Sequence, residues 1–391
     1  MGSWLQAAAV RWIVYEKTQS EWMLGVVEAA ALMPGVLVAL MAGSMADRVE
    51  PRRMIMTTQA ASMALAFALA ALVGLGIERI WQMALVVALT RICVTFEMPS
   101  RQVFLHDLVG KAALPNAIAL NTGLFNASRV LGPALAGACL AVSGGAACFA
   151  MNGASYLAAI AALRSIRRDR PPSIVPRGSA NVLGGLAYLR QDRRLGSLYL
   201  VMACFGVVGV GTEALIPAYA ASILHTGVDG YGGLLACNGI GATCAALAMA
   251  RLGRYRRKER LVLVGIFLFA LAHASAAIVP AQIARAWPGP AALVAAAGCL
   301  AGVGFGAVLF FSATQTLIQT AVPDHLRGRI AGVWMIIYSA TVPIGALAAG
   351  RLARDFGVVA VMVGSAALCA AMAAIVATRG TLSEAAPSDI A

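Results

Sequence analysis

The residues of this chain that could do chemistry are the few charged ones set inside long apolar stretches: Glu28, Arg91, Glu97, Arg129 and Glu213, with His273 as an imidazole among them. A charge at the centre of such a stretch costs roughly 2.5 to 3.5 kcal/mol on insertion scales, so it pairs with another helix or faces a path where it can bind a proton or a solute. Glu28 and Glu213 suit proton uptake and release. Arg91 and Arg129 suit a carboxylate, phosphate or catecholate, which the planar guanidinium fork grips better than an ammonium could. Each could equally be half of a structural interhelical pair, Glu97 a cytosolic helix cap, and His273 a satisfied core residue. A second group, Asp47 with Arg48, Arg52 and Arg53, puts opposite charges at the end of an apolar block. It could act as a breakable latch, or as a surface ion pair worth about 0 to 1 kcal/mol. The chain carries no Ser/His/Asp cluster, phosphate loop or metal-ligand spacing, so neither an enzyme, a cofactor nor a metal is expected. Its eight cysteines form no CxxC pair and read as small apolar packing residues.

The elements that must hold these residues are membrane spans. Of 391 residues, 60% are hydrophobic and 12% charged, and the mean hydropathy is +0.81; no soluble core could cover that much apolar surface. The net charge of +13 would suggest nucleic acid in a soluble domain. Here the arginines sit in loops between apolar blocks, where they face anionic lipid and set topology. The least hydrophobic stretch, 164–194, holds eight arginines against Asp169 and Asp192, and Pro171, Pro172 and Pro176 interrupt any helix. It reads as a cytoplasmic basic linker between two six-helix halves, 1–163 and 195–378, with 379–391 as a disordered tail.

Helix 1, ending at Tyr15, looks truncated: about 15 residues make roughly 22 Å of helix against a hydrocarbon core of about 30 Å. It carries Arg11 at its apolar centre and has no basic start or A-x-A end, so it is not a signal peptide. Extending the reading frame upstream is expected to complete it with about 10 to 20 mostly apolar residues. The other spans are predicted at Trp22 to Met45, Ile55 to Ile77, Trp81 to Pro99, Asn116 to Val142, Ala146 to Leu163, Leu195 to Leu224, Tyr231 to Ala250, Leu261 to Val279, Pro290 to Phe311, Ile330 to Ala349 and Val358 to Thr378. Counting Lys and Arg in alternate loops gives 22 inside against 5 outside, which supports twelve spans with both ends in the cytosol. Trp4, Trp12, Trp22, Trp81 and Trp287 fall near span ends, as an interfacial belt would place them. The 27 Arg against 3 Lys point to a high-GC bacterium and its cytoplasmic membrane.

The halves also match each other: Gln102 and Gln315, Val109 and Val322, Gly132 and Gly345, Gly137 and Gly350, Gly144 and Gly357 are each 213 residues apart. Two parallel repeats related by an axis along the membrane normal are the layout of major facilitator transporters. The run Gly43-Ser-Met-Ala-Asp47-Arg48-Val-Glu-Pro-Arg52-Arg53 resembles that superfamily's loop signature, with Glu50 where Gly is usual. Pro99-Ser-Arg101-Gln102, Leu114-Pro-Asn-Ala117, Arg129-Val-Leu-Gly132-Pro133-Ala-Leu-Ala-Gly137 and Val322 to Arg329 resemble the exporter subgroup that includes enterobactin exporters and other transmembrane secretion effectors. The resemblance implies an all-α, twelve-helix transporter with Asp47, Arg48, Arg52 and Arg53 as an inner gate that breaks and re-forms as the halves rock. It also implies an antiporter motif at Gly132, Pro133 and Gly137, weakened by Ser128 and Ala136 where glycines are usual.

The expected function is proton-coupled export of a small organic compound, an anionic, siderophore-like one being favoured. The alternatives are a multidrug pump for lipophilic or cationic drugs and a non-transporting scaffold or receptor. Expected partners are a small-molecule substrate, protons and the bilayer, without nucleic acid, and the chain is expected to act as a monomer. Asp47→Asn is predicted to leave the protein folded in membranes while lowering transport, since it removes a charge and no core contact. Flux per molecule in proteoliposomes measures this; equal flux at equal expression returns Asp47 to a surface ion pair.

Overall fold

The computed structural model describes residues 1–46, 49–166, 188–252, 258–286, 290–323 and 326–379. Among these the regular structure is entirely helical, as backbone in hydrocarbon must be when its hydrogen bonds are satisfied within the chain. The rods are α1 (Gly2–Thr18), α2 (Glu21–Ala46) and α3 (Pro51–Gly74), then a continuous helical stretch Ile80–Ser165. Gly110 and Gly144, at φ 71° and 74°, turn that stretch into α4 (80–109), α5 (111–143) and α6 (145–165). The second set is α7 (Arg193–Ser222), α8 (Val228–Leu252), α9 (Lys258–Ala286), α10 (Pro290–Ala321), α11 (Arg327–Phe356) and α12 (Val358–Arg379). Ten stretches among the described residues are long and apolar enough to cross a membrane. The 17-residue α1 and positions 111–134 of α5 fall outside those ten. The linker core 167–187, the tail from 380, Asp47 and Arg48 lie outside the described residues.

Several rods outrun their predicted bounds. α4 continues past Pro99 to Gly110, and α10 and α11 end at Ala321 and Phe356. The main correction is α7, predicted as one span from Leu195 to Leu224, in which Pro217 should bend the helix by freeing the carbonyl four residues back, that of Glu213. It breaks earlier: the α-helix ends at Val208, Val210–Leu215 is a 3-10 turn, and Pro217 opens the resumed helix Ile216–Ser222. The Glu213 carbonyl is not left free, because the Ile216 N–H donates to it. The break needs other partners at membrane depth. Ser365 of α12 donates to the Val208 carbonyl at 2.5 Å and Thr212 donates to the Gly209 carbonyl at 2.6 Å.

Positions 213 apart occupy equivalent places. Gly144 and Gly357 both take left-handed φ values, 74° and 85°, at the α5–α6 and α11–α12 turns. Gly132 abuts α1 at Trp4 and Gly345 abuts α7 at Val207. Gly137 lies against Gly232 of α8, and Gly350 against the Glu21 carbonyl of α2. A Cβ on Gly137 would sit 2.6 Å from the Gly232 Cα, and one on Gly25 would sit 2.5 Å from the Ala346 carbonyl oxygen. Backbones touch at these points, which only small residues permit.

These glycines lie towards one end of the α5–α8 and α2–α11 seams. Along the same seams towards the other end, Leu37 and Met41 of α2 are 79% and 60% exposed, and a gap of about 250 Å³ opens between Ala127 and Leu131 of α5 and Ile240, Thr243 and Cys244 of α8. Among the described residues the bundle is therefore closed at the end that the loop charges assign to the outside, with the α5–α8 gap lying towards the other end. Gly137→Val is predicted to destabilise this closure, since overpacking costs about 1–3 kcal/mol. A lowered melting temperature in detergent, with faster maleimide labelling of a cysteine placed at Trp22, is the expected result.

Candidate functional site

The charged residues of the first rods converge on one pair. Arg11 of α1 grips Glu28 of α2 with two parallel hydrogen bonds, Nε to Oε2 at 2.9 Å and Nη2 to Oε1 at 2.8 Å. Both side chains are largely buried, so this is a fork-on-carboxylate pair shielded from water. Around it, Tyr231 of α8 donates its hydroxyl to the Ala8 carbonyl at 3.3 Å and stacks on Trp12 with ring centroids 5.3 Å apart. Arg11 also feels the charge of Glu213 on α7, so it stands between an acid of its own set of rods and one of the other set.

Arg91 of α4 lies across α2, where a Cβ on Gly35 would meet its Cγ at 3.3 Å. It is half-buried, within the field of Glu28 and of Tyr338 on α11, and has no ion pair within 4 Å among the described residues. The acid that could have matched it is held by Arg11.

Glu97, one side of an α3–α4 contact, is buried and accepts from Gln59 Nε2 at 3.1 Å and Thr58 Oγ1 at 3.3 Å. Arg101 adds a contact at 3.4 Å. Its carboxylate thus ties α3 to α4 and is more than an end cap. In the second set of rods, Glu213 shares a small cavity with Thr212, Tyr219 and His273. His273 is buried, stacked on Phe269, and meets Thr212 Oγ1 at 3.1 Å.

Of the predicted latch, Arg52 donates to the Leu163 and Arg164 carbonyls at 2.8 and 3.1 Å, capping the end of α6, and Arg53 is exposed. Gly132 and Gly137 make the close contacts described above. Arg129 and Pro133 lie on α5, but their side chains are outside the described residues. At the outer rim, Lys17 Nζ sits 2.5 Å from Glu78 Oε1. Burial pushes the Glu78 carboxyl up, and the Lys17 ammonium outweighs it, holding that carboxyl below the usual range.

A protein-family model described as transmembrane secretion effector matches residues 1–390. The chain belongs to that family of major facilitator transporters. The chain is 24% identical over 367 residues to the multidrug efflux pump Tap of Mycolicibacterium fortuitum, covering 91% of this chain and 87% of the pump. It is 21% identical over 363 residues to the staphyloferrin A transporter of Staphylococcus aureus, covering 92% and 88%. Its fold matches a bacterial homologue of the human lysosomal transporter Spinster, solved inward-facing and unoccupied, with a TM-score of 0.78 at 14% identity over 99% of this chain and 96% of that one.

Two features of the chain are set by partners across space. Arg11 stands as a charge in the middle of an apolar block, and its partner Glu28 lies 17 residues away on another rod, where no spacing rule connects the two. Trp12, expected in an interfacial belt, is instead buried between rods against Tyr231, whereas Trp81 is exposed as a belt residue would be. Arg11→Met alone should strand the Glu28 carboxylate and cost about 3–5 kcal/mol, whereas combining it with Glu28→Leu should recover much of that. Thermal unfolding of the two single variants and the double variant in detergent measures the cycle; additive losses would show that the pair does not couple.

Proposed function

We propose that the chain is a proton-coupled exporter of a small organic compound bearing anionic groups, working by alternating access in the bacterial cytoplasmic membrane. The observation that carries this reading is Arg91, a half-buried guanidinium in a transporter bundle with no acid within 4 Å among the described residues. Glu28 gives both carboxylate oxygens to Arg11 and reaches Arg91 only through its field. A substrate carboxylate, phosphate or catecholate would supply the missing anion, and the planar fork would orient it. Arg129 is the second candidate for this role.

Alternating access accounts for the rest. The two six-helix halves, joined by the basic linker 164–194, rock about the seam so that the outer glycine contacts part while the inner ends close. Asp47, Arg48, Arg52 and Arg53 form the inner gate, and Glu28 and Glu213 are candidate proton carriers, with Glu97 on the pathway. The structure stands for the inward-facing stage of this cycle, in keeping with its likeness to an inward-facing transporter.

The apolar gap between α5 and α8 favours a second reading, an efflux pump for lipophilic or cationic drugs, as the name of the Tap relatives would suggest. Replacing Arg91 by Lys and then by Gln separates the two. Carboxyfluorescein and ethidium export are measured in the same vesicles. The anion reading expects carboxyfluorescein export to fall in both variants, more in Arg91→Gln, with ethidium export unchanged or absent; strong ethidium export lost in the variants, with carboxyfluorescein never moved, would establish the drug pump.

A further inference from the structure

The second set of rods carries a cluster of aromatic rings that begins in the dry core and ends at the seam. Phe205 of α7 and Phe310 of α10 are wholly buried, with ring centroids 4.4 Å apart. Beyond them, Phe311 of α10 meets Phe205 at 5.6 Å, and Trp334 and Tyr338 of α11 at 6.1 and 5.5 Å. Trp334 also meets Tyr199 of α7 at 6.2 Å. Phe311, Trp334 and Tyr338 are only half-buried. Phe311 and Trp334 pack on rods of their own set, while Tyr338 lies near enough to Arg91 of α4 to act on its charge. The surface these rings leave uncovered therefore faces the first set of rods across the seam, next to Arg91. On that side of α2 the seam is parted, with Leu37 79% exposed.

The angles between the rings show what they can still accept. Trp334 stands at 78° to Tyr199 and 76° to Phe311, both edge-to-face contacts, and such a contact covers one face of one ring at most. Stacked pairs occur elsewhere, Trp12 on Tyr231 at 27° and Phe269 on His273 at 15°, but Trp334 has no stacked partner among the described residues. A half-buried indole of this kind offers its surface to a further ring in offset stacking. Trp334 and Tyr338 are four residues apart, so they lie one above the other on the same face of α11. The guanidinium beside Tyr338 and the indole of Trp334 are thus offset by about one helical turn, roughly 6 Å along the axis. In an aryl carboxylate the acid group is bonded directly to the ring and lies close to its plane. A bicyclic acid of this type spans that offset, with its charged end at Arg91 and its ring system at Trp334.

We propose that the transported compound is a planar aromatic acid, its carboxylate held by the Arg91 guanidinium and its ring system stacked on Trp334, with Phe311 and Tyr338 beside it. This rests on the anion reading of Arg91 above and adds the part of the solute that the charge leaves open. The two contacts come from opposite sets of rods, Arg91 from the first and Trp334 from the second. Such a solute bridges the halves, and an acid without a flat ring loses the second contact. Discrimination between an aromatic acid and its saturated counterpart is therefore the signature of the site. An aromatic pair adds about 2- to 10-fold in affinity beyond the area that it buries.

Isothermal titration calorimetry of the full chain in detergent tests this, with 2-naphthoate and the saturated decahydronaphthalene-2-carboxylate as the two acids. Wild type is expected to bind naphthoate about 2- to 10-fold more tightly, although the saturated acid is the more hydrophobic. Trp334→Leu should bring the ratio close to one and Trp334→Phe should keep most of it, while Arg91→Gln should weaken both acids alike. A second reading avoids any loss of folding in Trp334→Leu. With Trp334 as the sole tryptophan, the other five of the chain's 6 being replaced by phenylalanine, saturating naphthoate should quench its emission and the saturated acid should not. Equal affinities in wild type, a preference that a folded Trp334→Leu retains, or Trp334 emission unmoved by naphthoate overturns the ring site. If Arg91→Gln still weakens both acids in that case, the anion reading stands without it. Binding of neither acid, or binding that Arg91→Gln leaves unchanged, overturns the anion reading and this proposal together.

Discussion

Close approach of bare backbone is the interaction on which this bundle depends. In a bilayer, lipid tails solvate Leu and Val about as well as a neighbouring helix does, so burying them gives little reason for two rods to associate. What remains is dispersion, which grows steeply as surfaces close. Gly25 against Ala346, Gly137 against Gly232 and Gly350 against Glu21 let the two sets of rods meet without side chains between them. Because these contacts cluster towards one end, the seam can be tight there and slack elsewhere. That is the asymmetry a transporter needs, and it arises from where the glycines stand.

The polar residues divide by what they are already doing. Arg11 and Glu28 satisfy each other with near-ideal geometry, and Glu97 is enclosed by Thr58, Gln59 and Arg101. In this conformation those groups are engaged between helices. Arg91 is left with capacity, as a half-buried cation with no acid within 4 Å among the described residues. It lies on α4, within the fields of Glu28 on α2 and Tyr338 on α11. A buried group keeps such incompleteness at a cost, so its persistence is an argument for use.

Much of the architecture was legible in the chain because bilayer thickness and loop charge act over whole segments. The 213-residue offset is visible twice, as letters and as contacts: Gly144 and Gly357 share a left-handed turn, and Gly137 and Gly350 share a seam position. The details that escaped are those set by a single partner across space. Nothing in the order of residues says that Arg11 will reach Glu28 rather than Arg91 reaching it. The α7 break was misplaced because Pro217 marks where a helix can restart as well as where one bends, and Ser365, which satisfies the Val208 carbonyl, lies 157 residues away.

The stacked pair Trp12 and Tyr231 joins α1 to α8, two rods on opposite sides of the seam, near the closed end. Rocking that opens this end must slide one ring off the other and carry the indole from a dry, aromatic setting into a wet one. Indole emission shifts to longer wavelength in such a passage. The molecule thus has an optical gauge of its own state built into the joint that moves, readable without attaching any dye.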